Sequence, residues 1–191
     1  GISTVLEISN TIKYFLLNGL KKKNIILLHC NSEYPTPFSD VNLKAMLYLK
    51  KKFKLPVGLS DHTLGIEVPI AAAALDACFI EKHFTLSRKL KGPDHQASIT
   101  PVELAQMVTS IRNIEEALGK SKKKVTNSEK KNISVARKSI VAIRDIKKNE
   151  IFTENNIGVK RPGTGISPIK FNKVLGKKAK FFFRYDQLIK I

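Results

Sequence analysis

The sequence contains 191 residues, enough for one medium-sized domain or for one and a half small ones. No apolar run approaches the roughly 18 residues that a membrane-spanning helix needs, and no secretory signal pattern is present. We therefore expect a cytoplasmic protein with no membrane partner. The two cysteines, Cys30 and Cys78, each lie in or just after an apolar run, which favours buried, reduced thiols over a disulfide. Because the first residue is Gly1 and not Met, we expect the sequence to be a piece of a longer protein.

The positive charge, +18 in total, is concentrated in the last third of the sequence. Residues 1–119 contain 14 lysines and arginines against 11 acidic residues, whereas residues 120–191 contain 20 against 5, a net charge of +15. One interpretation of this tail is a basic, non-catalytic module that binds an acidic polymer such as nucleic acid. The other is a lysine-rich solvated surface. We favour the second, because no nucleic-acid-binding motif is present and basic stretches usually mark solvated faces.

The beginning of the sequence predicts a helix, a buried strand and a second helix. Apolar residues recur at helical spacing in residues 4–17, with Thr4 as the N-cap. Ile25–Leu28 is a continuous apolar run, typical of a parallel strand that is covered on both sides. A polar loop follows it, and Ser39 is the predicted cap of the next helix. The predicted inner face of that helix consists of Leu43, Met46, Leu47 and Phe53.

One central stretch has the strand–helix–strand pattern of a parallel βαβ unit. Its two apolar runs, Pro56–Leu59 and Ala77–Ile80, are each followed by polar residues that include a histidine, and the alanine-rich segment Ile66–Leu75 between them predicts a helix. In parallel sheets, reactive groups lie at the carboxyl ends of the strands. His62 and His83 are 21 residues apart, so we expect both to point into the same crevice.

The segment Thr100–Glu103 predicts the start of a long helix, because Thr caps it, Pro occupies its first position and Glu completes a capping box. Residues 120–132 are almost devoid of apolar side chains and are predicted to be a linker between residues 1–119 and residues 133–191. The second of these domains is predicted to be small and β-rich, with Ser134–Ile143 as a strand. The predicted buried stripe of the long helix consists of Leu104, Met107, Val108, Ile111, Ile114 and Leu118.

Two histidines at corresponding ends of neighbouring strands suggest a metal site. One such histidine is more often a hydrogen-bonded structural residue, but His62 and His83 together favour a site. Imidazoles with open coordination positions suit a divalent transition metal that polarises a carbonyl oxygen. Asp61 beside His62, and Glu81 near His83, are candidate partners that orient the two imidazoles.

Three further polar residues are predicted to lie at the same edge of the sheet. Ser32 and Ser60 follow adjacent strands and would be suitable hydrogen-bond donors to phosphate or carboxylate oxygens. Each alone is more often a plain turn serine. Asp94 follows Gly-Pro in the loop over the same face, where a turn residue and a substrate contact fit the local sequence equally well.

Five short motifs are far more specific together than any one of them alone. They are His29-Cys30, Tyr34–Pro37, Gly58–Thr63, Glu81–Thr85 and Gly92–Asp94. Their order and spacing resemble the sialic acid synthase (N-acetylneuraminate synthase) family. The loop Lys160–Gly163 resembles the antifreeze-like (SAF) domain of the same family, and so the resemblance covers essentially the whole sequence.

The resemblance implies an α/β fold, with the C-terminal half of a TIM (β/α)8 barrel in residues 1–119 and a small β-rich antifreeze-like (SAF) domain in residues 133–191. Three αβ units cannot close a barrel. We therefore expect the remaining strands upstream of Gly1, and we expect this piece alone to be inactive. Members of the family are domain-swapped homodimers, and so the resemblance also implies that assembly.

The implied reaction condenses phosphoenolpyruvate with N-acetylmannosamine, or with a related amino-sugar aldehyde, to a nonulosonic acid and releases phosphate. Relatives that make legionaminic or pseudaminic acid share the motifs and are the alternatives. The implied cofactor is a divalent metal, expected to be Mn²⁺, with Mg²⁺ or Co²⁺ as alternatives. Ser32, Ser60 and Tyr34 would contact phosphoenolpyruvate.

The other implied roles concern the sugar and the metal. His62 and His83 would bind the metal that holds and polarises the sugar aldehyde. Glu81 and Asp94 would meet the hydroxyl groups of the sugar, with Glu81 also moving a proton. Arg161, in the antifreeze-like domain, would reach the sugar in the barrel of a partner subunit.

Overall fold

The computed structural model describes all 191 residues, which divide into two units, Gly1–Lys120 and Ser121–Ile191. None of the helices combines the length and the hydrophobicity that a bilayer crossing requires. The helices and strands of the first unit are α1 (Val5–Leu17), β1 (Leu27–Cys30), α2 (Lys44–Phe53), β2 (Val57–Asp61), α3 (Glu67–Ala74), β3 (Ile80–Lys82) and α4 (Pro101–Leu118).

The first unit is built on a three-stranded parallel sheet in the order β1-β2-β3. All three predicted strands exist, but each is shifted toward its polar end. β1 begins two residues after Ile25, and β3 begins only at Ile80. The reason is that strand bounds follow backbone pairing and not hydrophobicity: the ladder continues through the pairs Ser60–Glu81 and Asp61–Lys82. The polar strand ends are therefore part of the paired sheet.

The core of the first unit lies between the helices and one face of the sheet. Its buried residues are Val41, Met46, Leu49, Val57, Leu59, Val68 and Ala72. Two predictions about α2 are wrong. Ser39 does not cap it, because Ser39 lies in a separate 3-10 turn, Phe38–Asp40, and donates its hydroxyl to Asp40. Leu49 faces the core, whereas Leu47 is 43% exposed.

The N-terminus of α4 confirms the predicted capping box. The Thr100 backbone N–H and hydroxyl donate to Glu103 at 2.8 and 2.9 Å, and the Glu103 N–H donates back to the Thr100 hydroxyl. Arg88, in the loop that precedes α4, adds a bidentate pair to Glu103, with both distances 2.8 Å. The predicted buried stripe is wrong at Val108 and Leu118, which are exposed. Met107 is buried, and the other three residues, Leu104, Ile111 and Ile114, are half-buried, with α4 packing mainly against α3.

The thiol prediction is half wrong. Both cysteines are unpaired, as expected, but Cys30 is only partly buried and Cys78 is exposed. Cys78 lies just before the edge strand β3, whose outer side has no neighbouring strand. The apolar run around Cys78 therefore leaves Phe79 half exposed as well.

The second unit is small, and its core is formed by short strands and turns. Ser139–Ala142 pairs with Ile157–Lys160 in antiparallel orientation, so the strand predicted over Ser134–Ile143 forms only in its second half. The helices and strands of this unit are α5 (Asn127–Lys130), α6 (Ile133–Ala136), β4 (Ser139–Ala142), β5 (Ile157–Lys160) and α7 (Phe171–Val174). Its core consists of Ile140, Ala142, Ile146, Phe152, Ile157, Val174, Ala179, Phe183 and Ile189.

Glu103 should contribute to stability in a pH-dependent way. Hydrogen bonds from the Thr100 backbone, and then the Arg88 guanidinium, hold the pKa of its carboxyl below the usual 4.5. A folded-state pKa that is lower than the unfolded one stabilises the fold above the unfolded pKa, and this contribution is lost as the pH falls through the folded pKa. We expect Glu103→Gln to lower the urea midpoint of the full-length protein at pH 7, and the difference to shrink steadily below pH 4.5.

The matched control is Glu116→Gln, which removes an exposed carboxylate from the same helix. Glu116→Gln should leave the urea midpoint unchanged, both at pH 7 and below pH 4.5. A Glu103→Gln difference that stayed constant between pH 7 and the acid range would contradict the linkage to this carboxyl.

Candidate active site

The side chains of the central strands separate into two faces with different chemistry. In the register of the sheet, Cys30 pairs with Ser60 and Ser60 pairs with Glu81, so these three residues share one face. The opposite face carries Leu59 and Ile80, which pack into the helix-covered core. The polar face at the carboxyl ends of the strands is the candidate active site.

His62 and His83, the residues that follow β2 and β3, lie side by side. Their ring centroids are 5.1 Å apart with the ring planes nearly perpendicular. The Tyr34 ring contacts both imidazoles, at 5.2 Å from His62 and 4.3 Å from His83. Three aromatic rings from three different loops thus meet at one point.

The orientation of His62 is set by the loop that follows β1. Its Nδ1 lies 2.7 Å from the carbonyl oxygen of Asn31. Since a carbonyl only accepts, Nδ1 carries the proton in the neutral ring, and Nε2 is the nitrogen left with a lone pair. The His62 carbonyl in turn accepts the N–H of Thr36 at 2.8 Å. Backbone groups of one loop therefore fix both the ring and the main chain of His62.

The prediction that Asp61 orients His62 is wrong. Asp61 points to the opposite face, where its carboxylate accepts from the Lys82 ammonium at 2.5 Å and from Thr63. The reason is the two-residue alternation of side chains along a strand, which puts sequence neighbours on opposite faces. The actual partner is Asn31. Its position directly after the strand could have suggested a contact with the site, but a backbone carbonyl leaves no side-chain signal in the sequence.

The prediction that Glu81 partners His83 is also wrong. Glu81 accepts the Ser60 hydroxyl at 2.7 Å, in agreement with their pairing across the two strands, and the rest of its side chain is exposed. The acid nearest to His83 is Asp94, whose carboxylate oxygen lies 3.8 Å from His83 Nδ1. The structure thus places Asp94 beside His83, while Ser60 and Glu81 bond to each other on the same face of the sheet.

Tyr34 connects the loop after β1 to the long loop before α4. Its hydroxyl lies 3.2 Å from the Ser98 hydroxyl and donates to the Asp94 carbonyl at 3.4 Å. Burial raises the pKa of the Tyr34 phenol, the Ser98 hydrogen bond offsets part of that rise, and the carboxylates of Asp94 and Asp61 add to it. Tyr34 is therefore a neutral hydrogen-bond donor at physiological pH.

The two remaining predicted site residues are Ser32 and Arg161. Ser32 is exposed in the loop after β1, apart from the hydrogen-bond network. Arg161 belongs to the second unit, where it is exposed and its Nε donates to the Ala136 carbonyl at 3.4 Å. The loop that carries Arg161 is anchored by two hydrogen bonds, from Ser139 to the Pro162 carbonyl at 2.6 Å and from Gly163 to the Ser134 carbonyl at 2.7 Å.

Two imidazoles, those of His62 and His83, are placed to bind a metal ion at this edge of the sheet. No group of three or more His, Cys, Asp or Glu side chains is arranged to hold a metal. The donor set still suits a transition metal, because neutral imidazole is a common ligand and the Asn31 carbonyl fixes the tautomer of His62 as in many metal-binding histidines. Water and substrate oxygens would occupy the remaining positions.

Comparison with known proteins accounts for both units. Residues 1–123 match the model of the NeuB family, and residues 137–190 match the SAF domain. The chain belongs to the NeuB family. The predicted fold class, an α/β barrel portion followed by an antifreeze-like (SAF) domain, is confirmed by these matches and by solved structures of the same fold.

The relatives of this NeuB-family chain make different nonulosonic acids. It is 52% identical to the N,N'-diacetyllegionaminic acid synthase of Campylobacter jejuni over the whole chain and 57% of that protein. It is 35% identical to the human N-acetylneuraminate-9-phosphate synthase, over 98% of the chain and 53% of that protein. The crystal structure of the N-acetylneuraminic acid synthetase of Leptospira borgpetersenii, in complex with citrate, matches 70% of the chain and 46% of its own length, with 41% identity and a TM-score of 0.61. The chain thus spans about half the length of the relatives it matches.

Tyr34 should ionise at unusually high pH. In an absorbance titration of the full-length protein, we expect one tyrosine to ionise above the usual value of about 10, because burial opposes the phenolate. Tyr34→Phe should remove this late transition. It should also cost about 1 kcal/mol of stability, since the hydroxyl bonds to Ser98 and Asp94 are lost.

Tyr48→Phe is the matched control, because Tyr48 is 51% exposed. It should lower the total tyrosine signal and leave the late transition in place. If the late transition persisted in Tyr34→Phe, the burial of the phenol would be contradicted.

Proposed function

We propose that this chain is the catalytic and antifreeze-like portion of a nonulosonic acid synthase, which joins phosphoenolpyruvate to an amino-sugar aldehyde and releases phosphate. The observation that carries the proposal is the pair of imidazoles, His62 and His83, 5.1 Å apart at the carboxyl ends of adjacent parallel strands. Membership of the NeuB family supports the reaction class.

A divalent metal held by His62 and His83 would supply a Lewis acid that polarises the aldehyde oxygen of the sugar. We expect Mn²⁺, with Mg²⁺ or Co²⁺ as alternatives. The chain's own contribution is to keep both imidazoles in place. The Asn31 carbonyl fixes His62, and the Tyr34 ring packs against both rings.

The bond-forming step joins carbon 3 of phosphoenolpyruvate to the aldehyde carbon. Water then adds at carbon 2, and phosphate leaves with cleavage of its C–O bond. Glu81 is exposed on the site face and already accepts one hydrogen bond from Ser60, so its second oxygen is suited to take a proton from water or from a sugar hydroxyl. The family resemblance also gives Tyr34 and Ser60 contacts with phosphoenolpyruvate. Their hydroxyls donate to the Asp94 carbonyl and to Glu81 here, and each would turn its one proton toward an oxygen of bound phosphoenolpyruvate.

The acceptor sugar is the finer part of the proposal. The family resemblance implies N-acetylmannosamine or a related amino-sugar aldehyde. The higher identity to the Campylobacter legionaminic acid synthase, 52% against 35% for the human N-acetylneuraminate-9-phosphate synthase, favours the sugar precursor of N,N'-diacetyllegionaminic acid. The pseudaminic acid precursor remains the further alternative.

Three roles are proposed on the family resemblance. Ser32 would contact phosphoenolpyruvate from the loop after β1. Asp94, on a loop that Tyr34 holds near His83, would meet the sugar hydroxyls. Arg161 would reach the sugar of a partner subunit in a domain-swapped homodimer. The cytoplasmic location of the protein also stays a prediction.

The test is phosphate release by the full-length protein with phosphoenolpyruvate and a panel of amino-sugar aldehydes. We expect activity with N-acetylated sugars, highest with the diacetylated legionaminic precursor, and we expect it to depend on added Mn²⁺. His62→Ala and His83→Ala should each lower Mn²⁺ affinity and turnover together, by about 10-fold or more.

His95→Ala is the matched control, since His95 bonds Thr85 within the loop that follows β3 and is not one of the histidine pair. It should keep most of the activity and the normal Mn²⁺ dependence. Equal turnover of non-acetylated sugars would contradict the substrate class, and a normal metal dependence in His83→Ala would contradict the metal assignment.

Arg161 can be tested by mixing two inactive variants. Arg161→Ala should remove activity and leave both units folded, because the side chain is exposed and donates one long hydrogen bond. If Arg161 completes the partner's site, mixing Arg161→Ala with His62→Ala should restore part of the activity. One site of each mixed dimer would then draw its barrel and its Arg161 from unmutated copies.

The control pair is Lys170→Ala with His62→Ala. Lys170 is another exposed cation of the second unit, and its replacement alone should leave activity unchanged. Failure of the Arg161→Ala and His62→Ala mixture to recover, after mass spectrometry has shown subunit exchange, would contradict a role in trans.

A further inference from the structure

The face of the sheet opposite the histidines carries a buried ion pair. The ammonium of Lys82 lies 2.5 Å from the carboxylate of Asp61, and the two side chains are 3% and 1% exposed. The preceding pair on the same face, Leu59 and Ile80, is apolar and packs into the core. An ion pair therefore occupies a place where the pattern of the sheet predicts two more apolar side chains.

Stability does not account for this choice. Removing two charges from water costs several kcal/mol for each ion, and an apolar pair of similar volume is often as stable or more stable. Buried in this way, Lys82 is also out of reach of any substrate on the site face. The pair calls for an explanation other than stability or direct contact with substrate.

The hydrogen bonds of the ion pair involve the residues directly before and after His62, which are Asp61 and Thr63. The Lys82 ammonium donates to the Thr63 carbonyl at 2.6 Å as well as to Asp61. The second Asp61 oxygen accepts the Thr63 N–H at 3.0 Å and the Thr63 hydroxyl at 2.8 Å. One ammonium thus binds the residues on both sides of His62.

The same ammonium belongs to the residue directly before His83. A short path of hydrogen bonds and peptide groups therefore connects the backbones that carry the two imidazoles, on the side away from solvent. The three residues of this path, Asp61, Thr63 and Lys82, are hereafter called the clamp. Every buried polar side-chain atom of the protein has a hydrogen-bond partner. The side chains of the clamp find theirs within the clamp.

We propose that Lys82 is a positioning residue which, through the clamp, sets the separation of the His62 and His83 imidazoles. The proposal rests on the proposed function of these imidazoles as a metal-binding pair. Two apolar side chains would fill the same space, but they would not bind the backbone on both sides of His62. With such an apolar pair, the protein would keep its fold, but the distance between the two imidazoles would no longer be fixed.

The test compares stability with metal affinity in the full-length protein. Lys82→Met alone leaves a buried, unpaired carboxylate and should strongly destabilise the protein or prevent folding. The double variant Asp61→Leu/Lys82→Met removes both charges and should fold with a higher urea midpoint than Lys82→Met. Its midpoint should stay below the wild-type value, because the buried N–H, hydroxyl and carbonyl of Thr63 lose their partners. Its Mn²⁺ affinity, measured by equilibrium dialysis without substrates, should remain about 10-fold or more weaker than that of the wild type.

The control is Ile80→Ala, on the same face and one pair earlier, which should lower the urea midpoint and leave Mn²⁺ affinity unchanged. A double variant with wild-type Mn²⁺ affinity would overturn the proposal, because the pair would then be purely structural. A double variant that did not fold would also overturn it, since the pair would then be required for the fold itself.

A failure of the proposed function gives a different result. Wild-type protein that bound no Mn²⁺ would contradict the metal assignment and not the clamp. In that case, the nuclear Overhauser effects between the ring protons of His62 and His83, whose centroids are 5.1 Å apart in the structure, would decide in the metal-free protein. Weaker or absent effects in the folded double variant would support the clamp, and unchanged effects would overturn it.

Discussion

The pairing of β2 with β3 is the constraint on which the candidate site depends. Parallel pairing aligns Ser60 with Glu81 and Asp61 with Lys82, and the alternation of side chains then assigns these two pairs to opposite faces. The first pair is on the site face, where Glu81 is exposed and Ser60 is buried beside it. The second pair is buried on the opposite face. A one-residue slip of β3 would exchange the faces and put Lys82 into the site and Glu81 into the core, so the buried ion pair also opposes that slip.

The loops of the first unit are ordered by bonds that converge on the same strand ends. Asn31 and Thr36 bind His62 from the loop after β1, while Ile99 donates its N–H to the His83 carbonyl at 3.0 Å. Tyr34 joins these two loops above the rings. Most of these bonds use backbone groups, and so the geometry of the site depends on loop conformation more than on the identity of the side chains that surround it.

The sequence was most informative where a residue type had a single physical use. Thr100 and Glu103 fit only a helix start, and the two histidines followed apolar runs at the spacing of one βαβ unit; both features are present in the structure. The partners of the histidines were not predictable in the same way. Asn31 acts through its carbonyl, which every residue has. Asp61 is next to His62 in the sequence, but side chains alternate along a strand, and so it lies on the opposite face.

The observed strand bounds differ from the predicted ones for a related reason. Hydrophobicity marks the part of a strand that enters the core, but backbone pairing continues into the polar residues, as the Asp61–Lys82 pair shows. A charged residue at an inward position of a strand is the signal that could have been used. Lys82 stands between Glu81 and His83, and on a two-residue period it must face away from them. A lysine in that position needs a buried acid on the next strand, and Asp61 is the acid at the matching register.

The geometry of a metal site with two protein imidazoles depends on the surroundings of those ligands more than does that of a site with three or four protein ligands. Each additional ligand restricts the geometry of a metal directly, whereas with two ligands the spacing of the imidazoles has to come from their surroundings. Here His62 is held through its ring nitrogen, through its carbonyl and through the residues on both sides of it. Water and substrate would occupy the remaining coordination positions of a metal held there. The hydrogen bonds to His62 would then compensate for the small number of protein ligands and leave a position for an aldehyde oxygen.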